Sequence, residues 1–489
     1  MPGSATFTSS HRGDGSRPGA HGPTADLLVR GGLIRGLLAG AVVQLVSACS
    51  WLDVVPDHPA VDPPAVWSAD ADANTATPLD GWLYALGDPQ VAALATRAAS
   101  GNRDIAEARA ALGEARAAVA VAGADRWPSV AFNLSTARRQ AGVDFSRSSS
   151  VAETALGASF ELDLWGRLSD AERGAVLAWR AEEARYSGVR LATVSAVASG
   201  WYELLEAERL VALFDQRLAN LEQNLGVIES SYRAGLTPAL DVYLARNEVE
   251  QERGRLAEQR QSRDAVRRRV ELALGDYPAA ALANASTDPA VPDSVVATGL
   301  PSDLLTRRPD VRAAWLELLA GDAAVAVAHK DRFPRLTLTA EVGRSALELV
   351  ELASNSNLVW SLAAGLTQPV FDAGRLAALE AQARARVQVL EQQYLRTVFS
   401  AFGEVEEALS QEQALRQRYR ATRQAEDNAL AAQTLAFEQY RGGLIDYPTV
   451  LEAQRRAFDA QSQVIALRAA LVRNRIALHQ ALAGAPLGT

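Results

Sequence analysis

The sequence predicts a mixed α and β membrane protein, mostly α, with long antiparallel helices and four transmembrane β-strands in each chain. Three observations predict it. The 489 residues repeat themselves at an offset of 206 to 208 positions. Each half carries two runs in which apolar and small or polar residues alternate with period two, as in a strand with two unlike faces. Each half also carries one proline-free stretch, Gly166 to Tyr232 and Phe371 to Tyr440, too long for a globular helix. Trp, Tyr and Phe make up only 6% of the chain and alanine is abundant, which suits long, closely packed helices better than several thick cores.

Residues 1–48 read as a leader and lipoprotein signal peptide, and 49–81 as a lipid-anchored N-terminal segment rich in Pro, Ala and Asp. Residues 1–28 lack a signal's character and read as an over-extended start or a disordered leader. Arg30 and Arg35 then form a positive n-region, and Gly36 to Val46 is an apolar run of h-region length, too short to span a bilayer. Val46-Ser47-Ala48-Cys49 resembles a bacterial lipobox, which implies cleavage before Cys49 and diacylglycerol on its sulfur. An ordinary signal peptide or a buried helix with a chance Cys is the competing reading. The only cysteine of the chain sits where the lipobox requires it, and no intramolecular disulfide is available to it. Ser50, rather than Asp, after the cysteine implies sorting to the outer membrane.

The repeat sets the domains: 82–275 is the first copy, 276–300 a Pro/Ala/Asp-rich equatorial linker, 301–483 the second copy and 484–489 a tail. "NRDIAEARAALGEARAAVAVAGADRWPSVAFNLSTA" (102–137) is echoed by "RPDVRAAWLELLAGDAAVAVAHKDRFPRLTLTAEVG" (308–343), with Pro128 matching Pro334 at offset 206. "FELDLWGRL" (160–168) is echoed by "PVFDAGRL" (369–376), Gly166 matching Gly374 at offset 208. "YRAGL" at Tyr232 and "YRGGL" at Tyr440 keep the same 208. Duplication of one unit explains three motif pairs at nearly one offset.

Within each copy a helix precedes two strands, expected near 129–137 and 153–165 and near 335–344 and 357–370. Val130, Phe132, Leu134 and Thr136 share one face, as do Leu156, Ala158, Phe160, Leu162 and Leu164. Leu336, Leu338, Ala340 and Val342 do the same, then Leu358, Trp360, Leu362, Ala364 and Leu366. Runs of roughly ten residues suit tilted transmembrane strands. The apolar face would meet lipid, and the small or acidic face, with Glu161, Asp163 and Glu341, a watery lumen. One such strand alone fits a half-buried soluble sheet as well. Four matched strands beside a lipobox favour the membrane. Four strands cannot close a barrel, and lipid tolerates no open sheet edge, so copies must share one barrel.

The long stretches follow the strands. Leu376, Leu379, Ala383, Val387, Leu390 and Tyr394 are spaced three or four apart, as a packed helical stripe requires. At 1.5 Å per residue each stretch extends ~100 Å if unbroken. Segments 238–275 and 447–483 are the natural antiparallel partners, with tips near 235 and 443. Gly235 and Gly443 let the chain reverse between helices.

On "GLPSDLLTRRPDVRAAWLEL" (299–318), "FPRLTLT" (333–339), "FELDLWGRL", "QPVFDAGRL" (368–376) and both "YRxGL" turns, the chain resembles the outer-membrane factor family from about Trp82 to Leu482. These are TolC-like exit ducts, and the likeness is specifically to the OprM/NodT-like lipoprotein branch. The resemblance implies a homotrimer whose twelve-stranded barrel continues as an α-helical barrel across the periplasm. It makes the turns periplasmic tips, with Leu236 and Leu444 as apolar knobs beside Gly235 and Gly443 for a periplasmic adaptor. It maps Asp241 to the constricted aperture, with Glu452 and Arg455 one turn past the second tip, and Tyr232 and Tyr440 adding hydrogen bonds. Glu452 and Arg455, at i and i+3, share a helix face. Thr449 stands where the first tip has Asp241, and Ile445 where some members have a base, so the lock is expected to be weaker or differently paired. A solvated helix face is the plain alternative for each charge.

No H-E-x-x-H, C-x-x-C, G-x-G-x-x-G, P-loop or G-x-S-x-G occurs. His11, His21 and His58 lie in leader segments, and His329 and His479 stand alone in helical runs. A net charge of −9 without a basic, aromatic-laced cluster gives no hint of nucleic acid. The expectation is no enzyme, no cofactor and no metal: a passive outer-membrane duct in a tripartite efflux system, working with an adaptor and a proton-driven inner-membrane transporter. A type I protein secretion duct is the near alternative, and a lipid-anchored periplasmic coiled-coil scaffold without a pore the distant one.

Overall fold

The computed structural model describes residue 58 and residues 61–68, 76–77, 80–141, 147–283, 295–296, 298–347 and 358–486. Cys49, the expected lipidation site, lies outside the described residues. The first copy of the repeat runs α1 (Trp82–Ala85), α2 (Pro89–Gly101), α3 (Arg103–Ala124), β1 (Ser129–Ala141), β2 (Arg147–Leu162), α4 (Arg167–Arg233) and α5 (Ala239–Leu274). The second runs α6 (Leu304–Arg307), α7 (Pro309–Lys330), β3 (Arg335–Ala346), β4 (Leu358–Thr367), α8 (Arg375–Arg441) and α9 (Tyr447–Ala481). Matching elements have matching lengths: α3 and α7 have 22 residues each, α4 and α8 have 67. Sixty-seven residues make a rod of ~100 Å.

Local chemistry starts these helices. Asp88 accepts from the Gln90 amide just before Pro89, and Asn102 accepts from the Ile105 amide at 3.0 Å. The long helices begin at Gly166 and Gly374, both left-handed, with φ of 74° and 82°. A carboxylate just upstream reaches back to each first turn. Asp163 accepts from the Leu168 and Ser169 amides at 3.0 and 2.8 Å, and Asp372 from the Leu376 amide at 2.9 Å. Asp163 is therefore not a strand residue, as the alternation predicted. β2 ends at Leu162, where the Leu164 amide turns back onto the Leu162 carbonyl at 2.8 Å. β4 likewise ends at Thr367, short of the expected 370.

The long helices lie side by side in the order α5, α4, α9, α8, with α7 packed against both α4 and α8. Apolar cores are strung along this layer. One gathers Trp82, Val91, Trp201, Tyr202, Val266 and Ile476 from five helices. Another joins Trp67 to Val311, Val398, Val405 and Leu478. The α4–α5 seam carries a ladder of ion pairs. Arg246, Arg253, Arg260 and Arg267 meet Glu229, Glu222, Asp215 and Glu208, each at 2.7 or 2.8 Å. Both partners step by seven residues, the period that keeps one seam of two antiparallel helices aligned. Among the described residues no helix is long and apolar enough to cross a membrane.

The four strands form one antiparallel sheet in the order β1-β2-β3-β4. Its register gathers like with like. Phe132, Leu156, Val342 and Trp360 face one another across all four strands, and so do Val130, Ala158, Ala340 and Leu362. The alternate rows, such as Ala131, Gly157, Glu341 and Ser361, share the opposite face.

Candidate functional site

Among the described residues, the sheet and the paired tips leave large apolar side chains bare. On the sheet, Phe132, Leu134, Trp360, Leu362 and Leu366 are exposed, Trp360 to 73%. A contiguous bare apolar face of this kind marks a contact with lipid or protein. Glu341 sits in the opposite face, level with Gly157 and Ser361. Glu161 is also in that face but near the end of β2, where Arg167 donates to it at 2.8 Å. Asp163 caps α4 instead. A belt of charge sits where strands meet helices: Lys330 with Asp170 at 2.5 Å, and Glu380 receiving Arg332 and Arg384 at 2.7 and 2.6 Å. Sequence reasoning missed this belt. Its signal is the charged "HKDR" run of 329–332 between the helix and strand of the second copy.

The tips are built alike. Gly235 and Gly443 have φ of 75° and 70°. The next amides, of Leu236 and Leu444, each donate back five residues at 2.9 Å, to Ser231 and Gln439. This closure leaves Leu236 and Leu444 standing out, 78% and 76% exposed. The second helix after the turn starts differently in the two copies. Pro238 precedes α5, whereas Asp446 accepts from the Thr449 amide at 3.2 Å to cap α9. Thr449, standing where the first copy has Asp241, is thus a capping partner.

Behind the turns the two hairpins of one chain are joined. Ile228, Val242, Ala245, Tyr447 and Val450 form a buried cluster, with Phe437 and Tyr440 packed against it. The Tyr440 hydroxyl donates to Asp241 at 3.0 Å, and Asp241 is only 7% exposed. Asp241, mapped to the constricted aperture, is thus buried against α8 of its own chain. Burial and the Asp241 acceptor push the Tyr440 phenol up to about 12, so it stays a donor at neutral pH. Tyr440 and Tyr447 rings lie 5.5 Å apart. Tyr232, near the end of α4, remains half exposed.

Glu452 and Arg455 lie on the exposed face of α9 and are paired, at 2.9 Å. Arg456 also donates to Glu452 at 2.7 Å, and Arg455 reaches Asp459 at 3.1 Å. Hydrogen bonds from Arg456 and Arg455 hold the Glu452 carboxyl below the usual range. These charges do not meet Asp241. The structure brings Asp241 and Tyr440 together and sets Glu452 and Arg455 apart on another face. Among the described residues no cluster fit to hold a metal occurs.

A two-faced membrane sheet carried on helices ~100 Å long, ending in twin reversals, defines an outer-membrane duct of mixed β and α construction. The comparisons specify it. The model of the family "Outer membrane efflux protein" matches residues 94–276 and 300–484, and the chain belongs to that family. It is 32% identical over 451 residues to the pyoverdine export outer membrane protein OpmQ of Pseudomonas putida, covering 89% of this chain and 94% of that one. It is 30% identical over 404 residues to the toluene efflux pump outer membrane protein TtgI of Pseudomonas putida, covering 81% and 86%. The solved outer-membrane channel OprN superimposes with a TM-score of 0.80 at 26% identity, over 89% of this chain and 99% of that one. The protein is an exit duct of efflux located in the outer membrane, and the names of its relatives are those of efflux proteins rather than enzymes.

Proposed function

We propose that three copies of this chain close a twelve-stranded barrel in the outer membrane and one helical duct beneath it. The duct receives small toxic compounds from a periplasmic adaptor and a proton-driven inner-membrane transporter. The observation that carries this is the sheet: four strands, one bare apolar face, and β1 and β4 at its edges. Such a sheet is stable in lipid only when its edges find partners. Glu341 and Glu161 then face the lumen. Cys49 carries the lipid anchor. Gly235, Leu236, Gly443 and Leu444 present paired tips to the adaptor, six per trimer.

In this reading the resting mouth is held partly by Asp241 and Tyr440, which tie the two hairpins of each chain. Glu452 and Arg455 contribute a charged collar. The test is single-channel recording of the full chain in planar bilayers. Wild type should give small, discrete conductance steps. Asp241→Ala with Glu452→Ala should enlarge them several-fold. Absence of any channel activity from correctly inserted protein contradicts a duct. An unchanged conductance in the double variant removes these carboxylates from the closed state.

A further inference from the structure

About five helical turns behind the first tip, the hairpin of α4 and α5 meets the hairpin of α8 and α9 around an ion pair that leaves hydrogen bonds unmade. Arg217 of α4 lays its guanidinium over the Phe458 ring of α9, 4.2 Å from the centroid. Glu252 and Glu248 of α5 lie 3.4 and 3.9 Å from it. The Arg217 Nε is nevertheless buried without a hydrogen-bond partner. Gln454 of α9 is only 7% exposed, and its Oε1 accepts no hydrogen bond either. Buried polar atoms are costly to leave unpaired, so a bound molecule that meets them is favoured.

Arg217, Phe458 and Gln454 line one cleft of about 190 Å³ between α4, α8 and α9. Its other polar groups are all carboxamides, Gln433 of α8 and Gln461 of α9 among them, and leucines of α4 and α8 complete the wall. Gln454 lies about 200° round α9 from Glu452, so the cleft is apart from the paired charges of Glu452 and Arg455. The volume falls below the ~300–1,000 Å³ of sites for drug-sized molecules, which limits the ligand to one small ring. Among the described residues no carboxylate and no ammonium lines the cleft, and two glutamates already offset the Arg217 charge. Neither a cation nor an anion gains there, so the ligand is neutral. It has to bring an acceptor to the guanidinium and a donor to the Gln454 Oε1.

The geometry points to a binding site for a small, neutral, planar amide, of the cyclic ureide or lactam class, held between the two hairpins. An amide carries its C=O and N–H on adjacent atoms in one plane, so it meets both unpaired groups with no conformational freedom to lose. A sugar-sized polyol also carries donors and acceptors, but its hydroxyl rotors must be fixed and more polar surface stripped of water. The carboxamides of the wall offer both a donor and an acceptor to the rest of the ring. Because α4 belongs to the first hairpin and α8 and α9 to the second, an occupant stabilises the packing of the hairpins seen here. This role is separate from the passage of solutes through the duct and does not rest on it.

The test is calorimetry of the full-length protein in detergent with uracil as the probe, followed by amide exchange. Uracil should bind saturably and slow exchange at 213–221 and 454–461. Its dimethyl derivative, the same ring with both N–H groups methylated, should bind about ten-fold more weakly or less, and glucose likewise. Gln454→Met keeps the size of the side chain, removes the acceptor and should weaken uracil binding about ten-fold. Tm and native mass show whether that variant folds; where it does not, the comparison of uracil with its dimethyl derivative decides. Equal binding of the dimethyl derivative or of glucose overturns the assignment, as does uracil binding that survives Gln454→Met in folded protein. A cleft that takes up no uracil and holds water alone overturns it too.

Discussion

At the residue scale, the tips show what was legible and what was not. Gly235 and Gly443 were readable because a reversal between helices needs left-handed backbone, and the sequence places glycine there twice. A Cβ at either would meet nothing within 4 Å, so the cost of substitution is backbone strain alone. Gly443→Ala should cost roughly 1–2 kcal/mol, seen as faster amide exchange at 440–446 with unchanged exchange in the sheet. Asp241 was readable as a tip residue but not as a buried acceptor, because its partner Tyr440 is 199 residues away. The Tyr440 phenol is raised above its ordinary value, so the folded tip holds that proton more tightly than the unfolded chain. Its contribution is complete below the ordinary tyrosine range and is lost as pH rises toward about 12. The ultraviolet difference spectrum between wild type and Tyr440→Phe should show one phenol ionising near that upper value. A phenol titrating with the exposed tyrosines would refute the buried bond. Asp163 was misread because alternation continues past Leu162 in the sequence, while its role is set by the amides of the helix that follows. Asp163→Ala should cost about 1 kcal/mol, as a lowered Tm.

At the element scale, the long helices were the most legible feature, since absence of proline and a stripe of apolar residues are local signals. The order of the helices was not legible, because it depends on contacts between hairpins. The ladder of Arg246, Arg253, Arg260 and Arg267 lies between these cases. Its seven-residue step stands in the sequence, as does that of Glu208, Asp215, Glu222 and Glu229, but only antiparallel packing makes the two sets partners. The three exposed pairs contribute about 0.2–1 kcal/mol each, so that part of the ladder acts on register more than on stability, whereas Arg267 and Glu208 are mostly buried. A different pair is deeper. Glu252 is 0% exposed, and Arg217 lies 3.4 Å from it while its guanidinium covers the Phe458 ring of α9. Burial works against the charge of both groups. Arg217→Leu strands a buried carboxylate with only the more exposed Arg255 beside it, and should cost about 3 kcal/mol, again as a lowered Tm. Arg217→Leu with Glu252→Leu should recover most of that loss. Equal loss in the single and double variants would show that the pair is not coupled.

At the scale of the whole molecule, the duplication accounts for both halves of the architecture. Each copy supplies a strand pair and a helix pair, and one chain stacks two copies side by side. The layer of four helices has α5 and α8 at its flanks, and the sheet has β1 and β4 at its edges, so both are open on two sides within one chain. The sequence carried this conclusion in the number of strands, because lipid does not tolerate an open edge. The register of the sheet was hidden, since it belongs to pairs of strands and not to any one of them. The most direct test of the central claim is the native mass of full-length protein extracted gently from outer membranes. The account predicts a species of three chains that resists dissociation until the sheet melts. A stable folded species of one chain, with the apolar face of Phe132 and Trp360 covered by its own residues, would contradict it.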